Sequence, residues 1–519
     1  MKKALLIALA LGLICVWAAP AMAIDWIGFG GFSVKSQLYK NIDYRVATLW
    51  GGSPGSGNRL TGGGAALYGF ADPAFNQENW WLQMRGNIYI VARASADLQG
   101  VFGIEVNSTR FGEAEYASGT NWTTSGSAGK WNADAIAIQV KSMYIDFKIP
   151  GLPVRTKVGI QPFRLREPVF LYVDAAGIQA NVKIPAGDYI FNINPFWAIQ
   201  SKGDWQLLSS LIASVGPAKD YTTAENSNFF GVDVNAVFGD IKPGMFFAME
   251  KQGARYDTAA GEGDRERWWI GGYADMKFGG LAITADFVYN GGYDHHENGI
   301  IYVNGLNGIP TSEYTNPAYM MYGITNSVRH EAWLARGVVS YTLDKLTIGA
   351  GALYGTGDNP GTPNKNEGYQ TPYRSEAGKF NDDFLVLTGD WGYREPYGLQ
   401  TTGGLFKTWT TPGQGVWYVR AFADFAVTDW LKLKVNGGYI GDTVHNGDEF
   451  GTDGTVGPSA DDHTVGWEID AAVQINIYKN LYFDNAFGYL IGGKAFAGQA
   501  GGYRTQDPWA FISCLTYVF

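Results

Sequence analysis

The sequence predicts an all-β chain, a transmembrane antiparallel barrel of about eighteen strands. Three observations carry this. Apolar and polar residues alternate with period 2 in segments of about ten residues from end to end, and amphipathic helical patterns are nearly absent. The connections between segments alternate strictly between short and long, and tryptophans recur on the apolar face near the long-loop end.

At the N-terminus, Lys2 and Lys3 precede an apolar run from Ala4 to Ala19 and then Ala21-Met22-Ala23, the order of a secretory signal peptide. Residues 1–23 are therefore expected to be removed and the barrel to occupy 24–519. Cys15 follows Ile14, where a lipoprotein site wants a small residue, so lipidation is not expected. Cys514 is then the one mature cysteine and has no internal disulfide partner. No apolar run after Ala23 approaches the roughly 20 residues that a spanning helix needs, which excludes helical membrane spans. Loss of the two lysines takes the formal charge from −10 to −12, which argues against nucleic acid as a partner and against electrostatic attraction to acidic membrane surfaces.

The expected strands of the first half are 25 to 38, 79 to 93, 97 to 107, 135 to 148, 154 to 161, 174 to 184, 188 to 199, 227 to 238 and 241 to 252. Those of the second half are 264 to 278, 281 to 292, 329 to 343, 345 to 356, 414 to 427, 430 to 441, 463 to 477, 480 to 491 and 507 to 519. Gly239-Asp240, Gly279-Gly280, Asp344-Lys345, Thr428-Asp429 and Lys479-Asn480 supply tight turns, while 39–78, 108–134, 293–328, 357–413 and 442–462 are long. A membrane barrel has this asymmetry, with short periplasmic turns and long outer loops. The stretch from Phe380 to Trp409 has room for another hairpin, so sixteen and twenty strands stay open.

Parity assigns the faces. In 264 to 278, Trp268, Ile270, Ala274, Met276 and Phe278 share one face, and Arg265, Arg267, Tyr273, Asp275 and Lys277 share the other. Trp80, Trp268, Trp333, Trp417, Trp467 and Trp509 all fall on the apolar face toward the long loops; Phe278, Tyr341, Phe425, Tyr517 and Phe519 mark the opposite end. That pattern is two aromatic girdles at membrane interfaces. The last strand places Trp509, Phe511, Leu515, Tyr517 and Phe519 on one face, which resembles the assembly signal of bacterial outer-membrane barrels and implies the barrel-assembly machinery as a partner.

Catalytic and metal motifs are weak. Gly51, Ser53 and Gly55 have nucleophile-elbow spacing, but Pro54 and a Gly/Ser-rich tract replace the strand and helix that the motif needs. Gly28-Phe29-Gly30-Gly31 opens no helix, so it reads as close backbone approach in a strand. His295, His296, His330, His445 and His463 lack metal spacing and read as exposed loop residues. The acidic stretch 442–462 lacks the register of a calcium loop. No enzyme activity, cofactor or metal is expected.

The polar face carries the functional signal. Arg85, Arg155, Lys157, Arg265, Arg267, Arg336 and Arg420 lie on it with further lysines and arginines, against a smaller set that includes Glu105, Asp275, Asp286, Glu468, Asp470 and Asp484. Charge on a lipid face costs about 2 to 4 kcal/mol at midplane, so these groups belong to a hydrated lumen or to cross-strand ion pairs in the wall. Between Pro162 and Val173, two prolines resist a sheet ladder and Arg164 and Arg166 resist lipid, so the segment is expected to lean into the pore mouth. With Arg155 and Lys157 it would form a basic constriction of mild anion preference.

Tyr144-Ile145-Asp146, Lys157-Val158-Gly159-Ile160-Gln161 and Asp174-Ala175-Ala176-Gly177-Ile178-Gln179 resemble the alginate-export family of eighteen-stranded barrels. Ile160 stands where that family carries an arginine, so the resemblance implies the barrel rather than a polysaccharide cargo. The function expected is passive passage of small hydrophilic solutes across an outer membrane, with lipid and lipopolysaccharide as surroundings and homo-oligomerisation left open. The alternatives are a dedicated export or conduit barrel, for an acidic saccharide or a docked redox partner, and a structural or adhesive barrel with a plugged lumen.

Overall fold

The computed structural model describes residues 24–40, 78–110, 138–167, 169–201, 227–257, 261–296, 326–358, 362, 364–372, 375, 383–389, 391–394, 415–443, 464–493 and 507–519. The signal segment, the Gly51–Ser53–Gly55 tract, Pro168 and nearly all of the acidic stretch 442–462 lie outside them.

Eighteen strands build the wall where the alternation predicts them. In chain order they are β1 (Asp25–Lys40), β2 (Glu78–Ser95), β3 (Leu98–Arg110), β4 (Ile138–Lys148), β5 (Val154–Leu165), β6 (Leu171–Ala186), β7 (Tyr189–Ser201), β8 (Ser227–Val237) and β9 (Ile241–Asp257). They continue with β10 (Gly261–Phe278), β11 (Leu281–His296), β12 (Asn326–Leu343) and β13 (Leu346–Gly355). After a two-residue strand, β14 (Lys365–Asn366), come β15 (Val416–Ala426), β16 (Leu431–Gly441), β17 (Thr464–Tyr478), β18 (Leu481–Gly492) and β19 (Trp509–Val518). Wall neighbours pair antiparallel, β13 pairs with β15, and β1 pairs with both β2 and β19, which closes the barrel. At the seam Gly30 and Phe519 exchange two backbone hydrogen bonds of 3.0 Å. Tight turns gather at one rim, where Gly239 and Gly279 have φ near 58° and Asp344 has φ of 52°, conformations that glycine and aspartate tolerate best.

The wall sorts its side chains opposite to a soluble barrel. On β1, Phe32 is 44% exposed while Lys35 is 1% exposed; on β17, Ile469 is 56% exposed while Glu468 is fully buried. Apolar residues face outward all round, and polar ones are enclosed. That surface suits hydrocarbon, in which every backbone polar group must be bonded within the closed ladder.

Aromatics ring both ends of the apolar belt. Across β10 to β17, Trp268, Tyr289, Trp333, Tyr354, Trp417, Tyr439 and Trp467 follow one another as ring contacts or register partners. The tryptophans come from strands descending from the long loops and the tyrosines from strands ascending to them. Phe278, Tyr341, Phe425, Tyr517 and Phe519 are all exposed near the short-turn rim. Trp268 and Phe278 lie about ten strand steps apart, roughly 25 Å of height at a tilt near 40°.

Candidate functional site

Two segments fold into the barrel and define its interior. The first is the tip of the β5–β6 hairpin. β4 pairs with β5 only as far as Ile160, and β7 pairs with β6 only from Ala176, whereas β5 and β6 stay paired from Val154 to Leu165. Residues 161–175 therefore leave the wall as a paired ribbon. Pro162 does not end the ladder, contrary to the sequence expectation. It pairs with Asp174, and its carbonyl accepts a 2.8 Å bond from the Gln179 side chain. The ribbon has no outer neighbour at that height, so the missing N–H breaks nothing.

The ribbon tip is held by apolar and ionic contacts. Phe170 packs against Phe229, Phe246 and Trp269 on the inner wall, with ring centroids 6.4, 4.4 and 5.9 Å away. Arg166, with φ of 46°, reaches Asp286 on β11 at 2.6 Å and Asp275 on β10 at 2.8 Å, and lies over the Tyr273 ring. These carboxylates hold its guanidinium pKa above the ordinary value despite burial.

The second segment belongs to the connection between β13 and β15. β14 runs parallel to β12 at Arg329 and His330. Tyr369 and Ser375 bond the ribbon through the Val169 carbonyl at 2.7 Å and the Phe170 carbonyl at 3.2 Å, and Gln370 takes 2.5 and 2.8 Å bonds from Arg267 and Trp269. Further along, 383–389 and 391–394 are inside the barrel instead of forming an extra wall hairpin, so the wall keeps eighteen strands. Asp383 accepts hydrogen bonds from Arg336, Arg420 and Tyr418. Glu468 accepts the backbone N–H groups of Val386 and Leu387 at 2.5 and 2.9 Å. Arg394 bonds Asp484 at 2.6 Å and Asn476 at 2.8 Å, near the short-turn rim.

The nine cations singled out from sequence are distributed over separate partners. Arg85 pairs with Glu105 at 2.9 Å, and Arg155 pairs with Asp146 at 2.7 Å while also bonding the Ala96 carbonyl. Lys157 lies over the Tyr144 ring. Arg265 and Arg267 share Asp294, at 3.2 and 2.6 Å, while Arg336 and Arg420 share Asp383. Arg155, Lys157, Arg164 and Arg166 thus do not share one set of contacts. Arg164 is the one whose side chain stays 45% exposed, stacked on Tyr172 and 4.0 Å from Glu167.

Several interior residues had escaped the sequence reading. Asp383 and Arg394 lie in a long loop without periodicity. Lys141, which bridges Glu105 at 3.2 Å and Asp174 at 3.1 Å, was hidden by a bulge: Gly103 pairs with Ser142 and Ile104 with Val140, leaving Lys141 over and turning it inward. His330 is buried on β12, 3.3 Å from Asp294, and is not a loop histidine.

No family model matches the chain, and no curated protein matches it. The alginate-export resemblance therefore rests on its three short motifs alone. Among solved structures, OpdK, an outer membrane protein of Pseudomonas aeruginosa, aligns at 9% identity and TM-score 0.46, over 95% of this chain and 98% of that one. OccK8 (OprE) of the same organism aligns at 11% identity and TM-score 0.43 over the same shares, and OpdL at 9% and 0.44 over 95% and 99%.

Proposed function

We propose that the protein is an outer-membrane channel through which small hydrophilic solutes diffuse, with mild anion preference. The observation that carries this is the inverted wall: a closed barrel with a continuous apolar exterior between two aromatic rings and a charged interior. A hydrocarbon surround makes the first favourable and an aqueous lumen makes the second affordable. The ribbon and the 383–394 segment set the width, and selectivity follows from width and charge. Arg164, the exposed cation of the ribbon, supports the anion preference. Phe519, at the seam, is the contact proposed for the barrel-assembly machinery. Planar-bilayer conductance in a salt gradient tests the channel, and fractionation with N-terminal sequencing tests outer-membrane location after cleavage before Ile24. Recovery as a soluble periplasmic protein sinks the reading.

A second reading, a structural or adhesive barrel with a plugged lumen, is favoured by the full burial of Phe384, Leu385, Val386 and Leu387 inside the wall. Absence of conductance from correctly inserted protein would select it.

A further inference from the structure

The departure of the β5–β6 ribbon leaves the wall short at one place. β4 pairs with β5 as far as Met143 and Ile160, and β6 pairs with β7 from Ala176 and Ile199. No pairing joins β4 to β7 among the described residues, so beyond those positions the two strands flank an opening. A full wall has three interstrand spacings of about 4.8 Å between β4 and β7, which makes the opening about 14 Å wide at its top. In height, β5 keeps only Val154 to Ile160, seven residues, in the wall. At about 3.3 Å per residue and a tilt of about 40° these cover roughly 18 Å of an apolar band about 25 Å tall. The shortfall, roughly 7 Å, lies at the long-loop end, because β5 rises from the short-turn rim.

The opening leads into the lumen. Phe163 packs on Phe196 with ring centroids 6.2 Å apart, and Leu171 joins the same buried cluster, so the odd-numbered face of the ribbon lies on the inner wall. The opposite face carries Pro162, Arg164, Tyr172 and Asp174 and is turned toward the lumen and the opening. Lys141 bonds Asp174 at 3.1 Å and ties the ribbon root to the edge of β4. With Arg166 and Phe170 anchoring the tip, the ribbon does not swing back to complete the wall. Outside, Ile138, Val140 and Met143 of β4 are exposed and apolar up to that edge. The two sides differ in chemistry: hydrocarbon suits an alkyl chain, and the hydrated ribbon face suits a charged head. A guanidinium has five N–H donors, and Arg164, 45% exposed, gives one to Tyr172 at 3.2 Å while its ion pair with Glu167 is as long as 4.0 Å. Donors therefore remain for a carboxylate.

We propose that the opening between β4 and β7 is a lateral portal through which an alkyl chain passes between the lumen and the surrounding hydrocarbon. The solute it takes is an aliphatic carboxylate, its head at Arg164 and its chain beside Val140 and Met143. This rests on the channel reading and goes beyond it, since hydrophilic solutes follow the barrel axis and this path leaves it sideways. The test is block of single-channel current in planar bilayers by straight-chain carboxylates from butanoate to decanoate, added on the long-loop side. In wild type the half-blocking concentration should fall about threefold per added methylene, the mark of a chain leaving water. Ile138→Ser/Val140→Ser/Met143→Ser should flatten that dependence, while Val419→Ser/Ile469→Ser/Ile491→Ser, outward-facing but on β15, β17 and β18, should keep it. Current without carboxylate should be the same in all three proteins, which shows that the variants are folded and inserted. A half-blocking concentration independent of chain length in wild type overturns the portal, as does the same dependence in both triple variants. Equal block by alkyltrimethylammonium ions of matching length overturns the carboxylate assignment. Absence of current from inserted wild type refutes the channel reading itself, whereas current with length-independent block refutes the portal alone.

Discussion

Arg166 donates a 2.6 Å hydrogen bond to Asp286, a residue 120 positions later in the chain, and so ties the β5–β6 ribbon to the inner wall at β11. Arg166→Ala removes this ionic partner from Asp286 and from Asp275, leaving the ribbon tip without its charged tether to β10 and β11. The expected outcome is a released ribbon, read as larger and noisier single-channel conductance, with Arg166→Lys intermediate. Unchanged conductance and noise would show that the ribbon tip does not narrow the channel.

Arg164 should act differently because its guanidinium is 45% exposed and its ion pair with Glu167 is as long as 4.0 Å. Arg164→Ala should shift the zero-current potential in a salt gradient toward cation preference while leaving thermal stability within about 0.5 kcal/mol. A shift of stability without a shift of potential would reassign it to packing on Tyr172.

Glu468 is a test of the second segment. Glu468→Gln keeps one acceptor oxygen and turns the other into an NH2 donor, so one of the buried Val386 and Leu387 N–H groups loses its acceptor, a loss that costs about 1 to 3 kcal/mol. Faster proteolytic cleavage within 383–394 and more frequent conductance transitions are expected, and a protease pattern identical to wild type would contradict the anchoring role.

Trp268 and Trp269 are neighbours in sequence and opposites in environment. Trp269 is buried and donates to the Gln370 carbonyl, whereas Trp268 stands in the outer aromatic ring. In variants retaining one tryptophan, brominated lipids should quench Trp268, Trp333, Trp417 and Trp467 strongly and Trp269 little. Equal quenching of the two neighbours would mean that the strand register is wrong.

Asp358, just beyond β13, gives a pH dependence. Burial, with the nearby Glu367 carboxylate, pushes its pKa up to about 7, against the opposing bond from the Glu367 N–H. Its folded value lies above the ordinary carboxylate value of about 4, so its stabilising contribution is complete below about pH 4 and is lost as pH rises through 7. Amide exchange across 364–370 should therefore accelerate, beyond its intrinsic rate, between pH 5 and 8, and Asp358→Asn should flatten that excess. An equal excess in the variant would exclude Asp358 as the titrating group.

The wall was legible because a two-sided strand writes its environment into every second residue. Ile469 and Glu468 differ in parity, and parity alone placed them on opposite faces. Parity fails at a bulge, which is why Lys141 was missed. The interior segments were illegible for another reason: Asp383 is defined by Arg336 and Arg420, some 37 to 47 residues away, and nothing beside it in the chain announces those partners. The cations were identified from their strands, but the carboxylates that occupy several of them were not.

The seam sets an order of events for folding. β1 needs β19, and Gly31 meets Val518 only after every intervening strand exists. Until then β1 presents an unsatisfied edge, the template that promotes pairing with the wrong chain. Contacts of such sequence separation form slowly. Shielding that edge until the ends meet is therefore a kinetic requirement of this architecture, independent of how stable the finished barrel is.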